Sequence, residues 1–113
     1  MEMALNNAGI TEVDSIVMHA PGTVKGDESE YKAITKLFGV KMPHIISTKY
    51  LTGHSFGASG ALSMELAILM LQEQQLIKFP YDSMTCGKPQ KVKTIMVNAT
   101  GFGGNAVSII LSK

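Results

Sequence analysis

From about Gly57 to Ile77 the sequence reads as one long helix that is apolar nearly all round at its start. A helix of that kind has to be buried on most of its sides. Its first residues, Gly57, Ala58, Ser59, Gly60 and Ala61, are small and permit close backbone packing there. The rest of the chain has to supply layers that cover it. Glu2 to Ala8 reads as the tail of a helix stopped by Gly9, and Val13 to Met18 as a short strand ending at His19. Ala20 to Gly26 is a loop rich in Pro and Gly. Asp27 is a good N-cap, and Glu30 three residues on gives the start of the next helix a capping-box pattern. That helix presents Tyr31, Ile34, Leu37 and Phe38 at helical spacing until Gly39. His44 to Thr48 is a second strand followed by a Gly-rich loop. Phe79 to Gln90 reads as irregular, and Thr94 to Val97 and Ala106 to Leu111 as strands joined by a Gly-Phe-Gly-Gly turn. The order α-β-α-β-α-β-β predicts one α/β layered domain over residues 1–113, with a mostly parallel sheet and a final hairpin.

Composition narrows the function classes. With 113 residues, 45% of them hydrophobic, there is room for one core and no sign of a disordered tail. The formal net charge is +1 and no basic run occurs, which argues against a nucleic-acid partner. The longest apolar stretch, Ala61 to Leu71, is broken by Ser63 and Glu65 and is shorter than the roughly 20 residues a membrane span takes. The N-terminus lacks the basic-then-apolar order of a signal peptide. Cys86 is the single cysteine, cannot form an internal disulfide and suits a reducing compartment. A soluble cytoplasmic protein is the expectation. The histidines and the cysteine show no metal-site spacing, and no cofactor is called for.

Three clusters combine ionisable or donor groups with glycines. They are His19-Ala-Pro-Gly-Thr23-Val-Lys-Gly-Asp27-Glu-Ser-Glu30, Lys49-Tyr-Leu-Thr-Gly-His54-Ser-Phe-Gly57-Ala-Ser-Gly60 and Asn98-Ala-Thr-Gly-Phe102-Gly-Gly-Asn105. His19 sits where a strand meets a loop, and its imidazole can donate to a developing oxyanion or move a proton near neutral pH. Taken alone it reads first as a surface histidine at a strand end. His54 lies just before the small-residue helix and reads alone as a loop histidine bonded to backbone. Lys49 alone is a solvated lysine, and Asp27 and Glu30 are capping groups. His44 has no motif around it. Cys86 has no histidine near it in sequence and is not read as a nucleophile.

Gly53-His54-Ser55-Phe56-Gly57 also matches the G-x-S-x-G elbow of the α/β-hydrolases. There Ser55 would be the nucleophile, and an acid and then a histidine should follow it. Asp82 follows, but no histidine does. Lys49 to Gly53 also separate the strand from the serine.

In order and separation the three clusters resemble the C-terminal part of the β-ketoacyl-acyl-carrier-protein synthases, and the similarity covers essentially the whole chain. The resemblance implies a thiolase-like fold of two similar halves, each a mixed, mostly parallel five-stranded sheet with helices on both faces. It implies a reaction in which an acyl thioester is joined to a malonyl-acyl-carrier-protein with decarboxylation. By position, His19 and His54 would be the two catalytic histidines, holding the malonyl thioester oxygen and stabilising the enolate. Lys49 would match the family lysine. Phe102 would be the gate beside the acyl site, its backbone N–H helping to form an oxyanion hole, with Gly101, Gly103 and Gly104 permitting the backbone shape. Thr23 would hydrogen-bond the pantetheine arm. Acyl carrier protein and the half bearing the nucleophilic cysteine, absent here, would be the partners. A non-catalytic partner subunit of the chain-length-factor type is the alternative.

The departures are specific. His19-Ala20-Pro21 stands where the family usually has His-Gly-Thr. Ser63 stands where a glutamate pairs with the family lysine. At the hairpin, Ala99 and Thr100 replace Ser-Phe. These point to a divergent branch, such as one of specialised polyketide or polyene assembly. A sheet order of 3-2-1-4-5 for each half leaves strand 1, the central strand, unencoded before Val13. The expectation is then a gap in the sheet, either closed by rearrangement or, the favoured outcome, filled by a second copy in a homo-oligomer.

Overall fold

The computed structural model describes residues 1–78 and 91–113. The irregular segment expected at Phe79 to Gln90, with Asp82 and Cys86, lies outside the described residues. Helix α1 is Glu2–Ala8, strand β1 Ser15–Val17, helix α2 Val24–Phe38 and strand β2 His44–Ile46. A short helical turn, α3, spans Lys49–Thr52, helix α4 Ser59–Glu73, strand β3 Thr94–Thr100 and strand β4 Ala106–Ser112. The element order matches the expected alternation, with α3 added where a plain loop was read.

The sheet order is β2-β1-β3-β4. β1 pairs in parallel with β2 on one side and with β3 on the other, and β3 pairs antiparallel with β4. This corrects the expected gap. Val17 lies opposite both Ile46 and Val97, so the strands on either side of the supposed vacancy are direct neighbours. No strand is missing between them, and the case for assembly through that gap falls with it.

Register is set at the N-terminal edge of the parallel strands by Asp14. Its backbone N–H donates to the Thr94 carbonyl at 2.9 Å, and its own carbonyl accepts from His44 N–H at 3.1 Å. Its carboxylate oxygen Oδ2 accepts from the N–H groups of Lys93 and Thr94 at 2.7 and 2.8 Å. One residue therefore ties together the starts of three strands.

Strand alternation then sorts the core onto two faces. Ile16, Met18, Ile45 and Met96 join Leu5 of α1 and Ile34 and Phe38 of α2 on one face. Val17, Ile46, Ile95 and Val97 join Ala67, Met70 and Leu71 of α4 on the other. Helices thus cover both faces, as expected. α4 departs from the expectation of burial on most sides. Its buried residues, Ser59, Ser63, Ala67, Met70 and Leu71, form a single stripe, while Ile68 and Leu69 on its outer side are 44% and 49% exposed.

His44 is buried, and its Nδ1 lies 3.0 Å from Ser15 Oγ. Burial holds its pKa below the usual histidine value, partly opposed by a hydrogen bond to the backbone of Ile77. A lowered folded-state pKa means that the folded chain prefers the neutral ring. That preference leaves stability intact above the unfolded value of about 6.5 and removes it as pH falls below that value toward the folded one. The urea midpoint should therefore drop between about pH 7.5 and about pH 5. The drop should be smaller in His44→Gln, which can still bond Ser15 but does not titrate. An equal drop in both proteins would show that His44 is not the group responsible.

Candidate active site

Parallel pairing brings the three sequence clusters together. β1, β2 and β3 all run the same way, so the segments that follow them emerge at one edge of the sheet. His19 follows β1, α3 and His54 follow β2, and the hairpin turn follows β3. In open α/β sheets this carboxyl edge is where ligands bind.

His19 and His54, 35 residues apart in sequence, meet there with ring centroids 5.4 Å apart in an edge-to-face contact at 80°. His54 Nδ1 accepts the backbone N–H of Phe56 at 3.0 Å. A neutral imidazole has one donor and one acceptor nitrogen, so this bond places the His54 proton on Nε2. His19 is buried. Burial, then the ammonium of Lys49, holds its pKa below the usual value, with Glu30 acting in the opposite direction. His19 is thus neutral at pH 7 and can stand close to a second ring without charge repulsion.

The backbone of His19 is held from both sides. Glu30 Oε1 accepts the His19 N–H at 3.0 Å, and Oε2 accepts the Ala20 N–H at 2.9 Å. Lys49 Nζ donates to the His19 carbonyl. Asn98 Nδ2, from β3, donates to Glu30 Oε1 at 3.0 Å and so ties the second parallel neighbour into the same network. Burial pushes the Lys49 pKa down, opposed by Glu30 and Asp27.

Several residues are not where the sequence reading put them. The N-cap of α2 is Thr23, not Asp27: its side chain accepts Gly26 N–H at 3.3 Å, and the helix begins at Val24. Asp27 sits in the first turn and accepts Gly22 N–H at 3.0 Å. Glu30 makes no capping box and reaches back to the end of β1 instead. It is the site residue the sequence reading undervalued, because the local D-x-x-E pattern already had a sufficient local explanation. Gly26 has a spatial reason to be glycine, since a Cβ there would lie 2.6 Å from Thr23 Oγ1 and 2.8 Å from Pro21 Cγ. At the departed position, Ser63 is buried and its Oγ lies 3.3 Å from Thr48 Oγ1.

Phe102 stands at the hairpin tip and is 96% exposed, followed by Gly103 and Gly104 in left-handed conformation with φ of 83° and 87°. The hairpin is closed by Gly101 N–H donating to the Asn105 carbonyl at 2.8 Å. The serine-elbow reading finds no support in the geometry. Ser55 Oγ lies 3.2 Å from Ser59 Oγ, and the near nitrogen of His54 is taken by Phe56. Among the described residues no cluster of side chains could hold a metal ion, and no helix is long and apolar enough to cross a membrane.

A largely parallel sheet covered by helices on both faces, with two histidine rings meeting at its carboxyl edge, is a thiolase-like arrangement. The chain belongs to the β-ketoacyl synthase family: the model of the β-ketoacyl synthase C-terminal domain matches residues 1–80. It is 32% identical to 3-oxoacyl-[acyl-carrier-protein] synthase 1 of Escherichia coli over an alignment covering 100% of this chain and 30% of that protein. The same enzyme of Haemophilus influenzae is 34% identical over 91% of this chain and 28% of its own length. Among solved structures, a ketosynthase in complex with its chain length factor from Xenorhabdus doucetiae superposes with a TM-score of 0.86 at 35% identity. That match covers 99% of this chain and 32% of the other. The ishigamide ketosynthase/chain length factor gives a TM-score of 0.85 at 28% identity, covering 99% and 31%. The chain therefore spans about a third of the length of these relatives. Such close superposition over the whole chain shows that the β2-β1-β3-β4 order is the order of the family and not a rearrangement.

Glu30→Ala should strip two backbone N–H groups and the Asn98 amide of their shared carboxylate. A loss of about 2 kcal/mol in unfolding free energy is expected for such charge-assisted bonds in a half-buried site. Urea titration would measure it. A loss like that of a surface helix substitution, below about 0.5 kcal/mol, would show that Glu30 does not hold the β1 end.

Proposed function

We propose that this chain is the C-terminal part of a condensing enzyme that joins an acyl thioester to a malonyl-acyl-carrier-protein with loss of CO2, in fatty acid or polyketide synthesis. The observation that carries the reading is the histidine pair. Their ring centroids are 5.4 Å apart, and in this proposal both imidazoles donate to one thioester oxygen. Negative charge grows on that oxygen as decarboxylation forms the enolate. Donors preset there lower the barrier rather than merely bind the substrate. His19, His54 and Lys49 take the catalytic role in this proposal. Lys49 acts at the reacting face through its charge and through the His19 carbonyl.

The substrate-binding assignments extend the same reading. Thr23 spends its hydroxyl oxygen on Gly26 N–H, which leaves its own proton to donate to an amide carbonyl of the pantetheine arm. Phe102, with Gly101 and Gly103 beside it, forms the gate at the hairpin tip. The partners are acyl carrier protein, the remaining part of the synthase, which carries the cysteine nucleophile and covers the outer side of α4, and a second synthase-like subunit. The compartment proposed is the cytoplasm, consistent with a single cysteine. The 113-residue chain on its own is not expected to condense thioesters, and Cys86 is not expected to become acylated. The intact, converged histidine pair favours a catalytic subunit over a chain-length-factor type of partner, which has no need of two donors on one oxygen.

The test uses a complete synthase carrying this segment. His19→Ala and His54→Ala should each slow malonyl decarboxylation by roughly 100-fold or more, the usual effect of removing one oxyanion donor. Decarboxylation at the parent rate in both variants would remove the assignment.

A further inference from the structure

His54 is followed by a residue in a conformation that its type disfavours. Phe56 has φ of +48°, in the left-handed region, although it is neither glycine nor asparagine. For a bulky L-residue that conformation is strained. Glycine was within reach of the local sequence: Gly57 is the next residue, and Gly53 takes the left-handed position at φ of +68° three residues earlier. Burial does not offset the strain, because Phe56 is 76% exposed. The ring contact that the structure does give it is with His54, at a centroid distance of 5.3 Å and a tilt of 52°. His54 therefore meets two rings, Phe56 and His19, and takes a backbone N–H on its Nδ1 from the same residue that supplies one of those rings.

We propose that the Phe56 side chain is a positioning residue for His54, fixing the plane of the imidazole so that Nδ1 stays on the Phe56 N–H and Nε2–H stays aimed at the reacting oxygen. The bond to Nδ1 selects the tautomer only while the ring keeps its plane. Rotation about χ2 would carry Nδ1 away from the N–H and release the proton to either nitrogen. Histidine χ2 is a broad, soft torsion, so a ring held by one hydrogen bond is weakly oriented. An aromatic face against it narrows that torsion, and the contact is favourable in its own right. The strain at Phe56 has a use on this account. The left-handed turn brings the N–H and the aromatic ring of one residue onto the same imidazole, which an extended residue there would not do.

The inference rests on the proposed role of His54 as an oxyanion donor, but its test needs no substrate and no turnover. Long-range proton–nitrogen NMR on the 113-residue chain reads the ratio of Nε2–H to Nδ1–H tautomer at His54, with His19 as an internal control. Three variants separate ring from backbone. Phe56→Tyr keeps an aromatic ring and should hold the parent ratio. Phe56→Ala keeps a left-handed L-residue without the ring, and the ratio should fall by about threefold or more, the scale an aromatic contact supports. Phe56→Gly removes ring and strain together. Its ratio should fall in the same way while its urea midpoint equals or exceeds that of the parent, since glycine adopts this φ freely. A purely structural Phe56 would move the midpoints and leave the ratio alone. The parent ratio retained in Phe56→Ala overturns the proposal whatever the other two variants show. That result would leave the decarboxylation test of His54 untouched, and failure of the decarboxylation test would likewise leave the tautomer result standing.

Discussion

Parallel pairing of β1 with both of its neighbours is the constraint on which the rest of the molecule depends. It sets which residues face α2 and which face α4, because a one-residue slip would exchange Ile16 with Val17 and turn the core inside out. It also sends three chemically loaded segments to one edge. A parallel sheet has little local means of fixing its register, since its strands are joined by long crossovers and not by tight turns. Asp14 supplies what the turns cannot. Its carboxylate and backbone reach residues 80 positions away at the start of β3, and its carbonyl reaches His44 at the start of β2. A single acidic residue at the far edge of the sheet thus decides where His19 meets His54 at the near edge.

The near edge repeats the logic with Glu30. One carboxylate accepts the N–H groups of His19 and Ala20 and the Asn98 amide, so α2, β1 and β3 share one fixed point. Without a partner of this kind the end of β1 would carry two N–H groups with no strand to receive them. Held on its N–H by Glu30 and on its carbonyl by Lys49, the His19 backbone has little freedom left. The family glutamate expected opposite Lys49 is Ser63 here, and that residue turns to Thr48 instead. Lys49 keeps a task through the His19 carbonyl and the opposite charge of Glu30, so this departure rearranges the supporting bonds without emptying the site.

Much of this was legible in the sequence, and the parts that were not share a cause. Helix ends closed by Gly9 and Gly39 were readable because glycine at a helix end is a local signal. So was the β3–β4 hairpin, written in four consecutive residues. The layered class followed from helix and strand periods alone. What failed was non-local. Asp27 and Glu30 look like a capping box because their spacing is right, yet the true cap is Thr23, and Glu30 is claimed by a strand end 11 residues back. The supposed gap between β1 and β3 came from assuming a sheet order, when no sequence signal states which parallel strands are neighbours. Asp14 drew no notice, since an aspartate beside a strand is ordinary until its partners are known.

The placement of strain follows from the same division. Local rules would put glycine at Phe56, as they do at Gly53, and the chain does not comply. Natural sequences break a local rule mainly where something else gains. At the sheet edge the gain has to be geometric, because the exposed ring buries little. In the proposed decarboxylation, neutral imidazoles would hold a growing negative charge by aim more than by charge. A protonated pair would attract an oxyanion from any angle, whereas a neutral pair must already point at it. On the proposed function, that requirement gives a purpose to the restraints at this edge: Glu30 and Lys49 on the backbone of His19, and the Phe56 N–H and ring on His54. The proposed chemistry would ask for two donors converging on one oxygen, and the fold restrains the His19 backbone and the His54 ring.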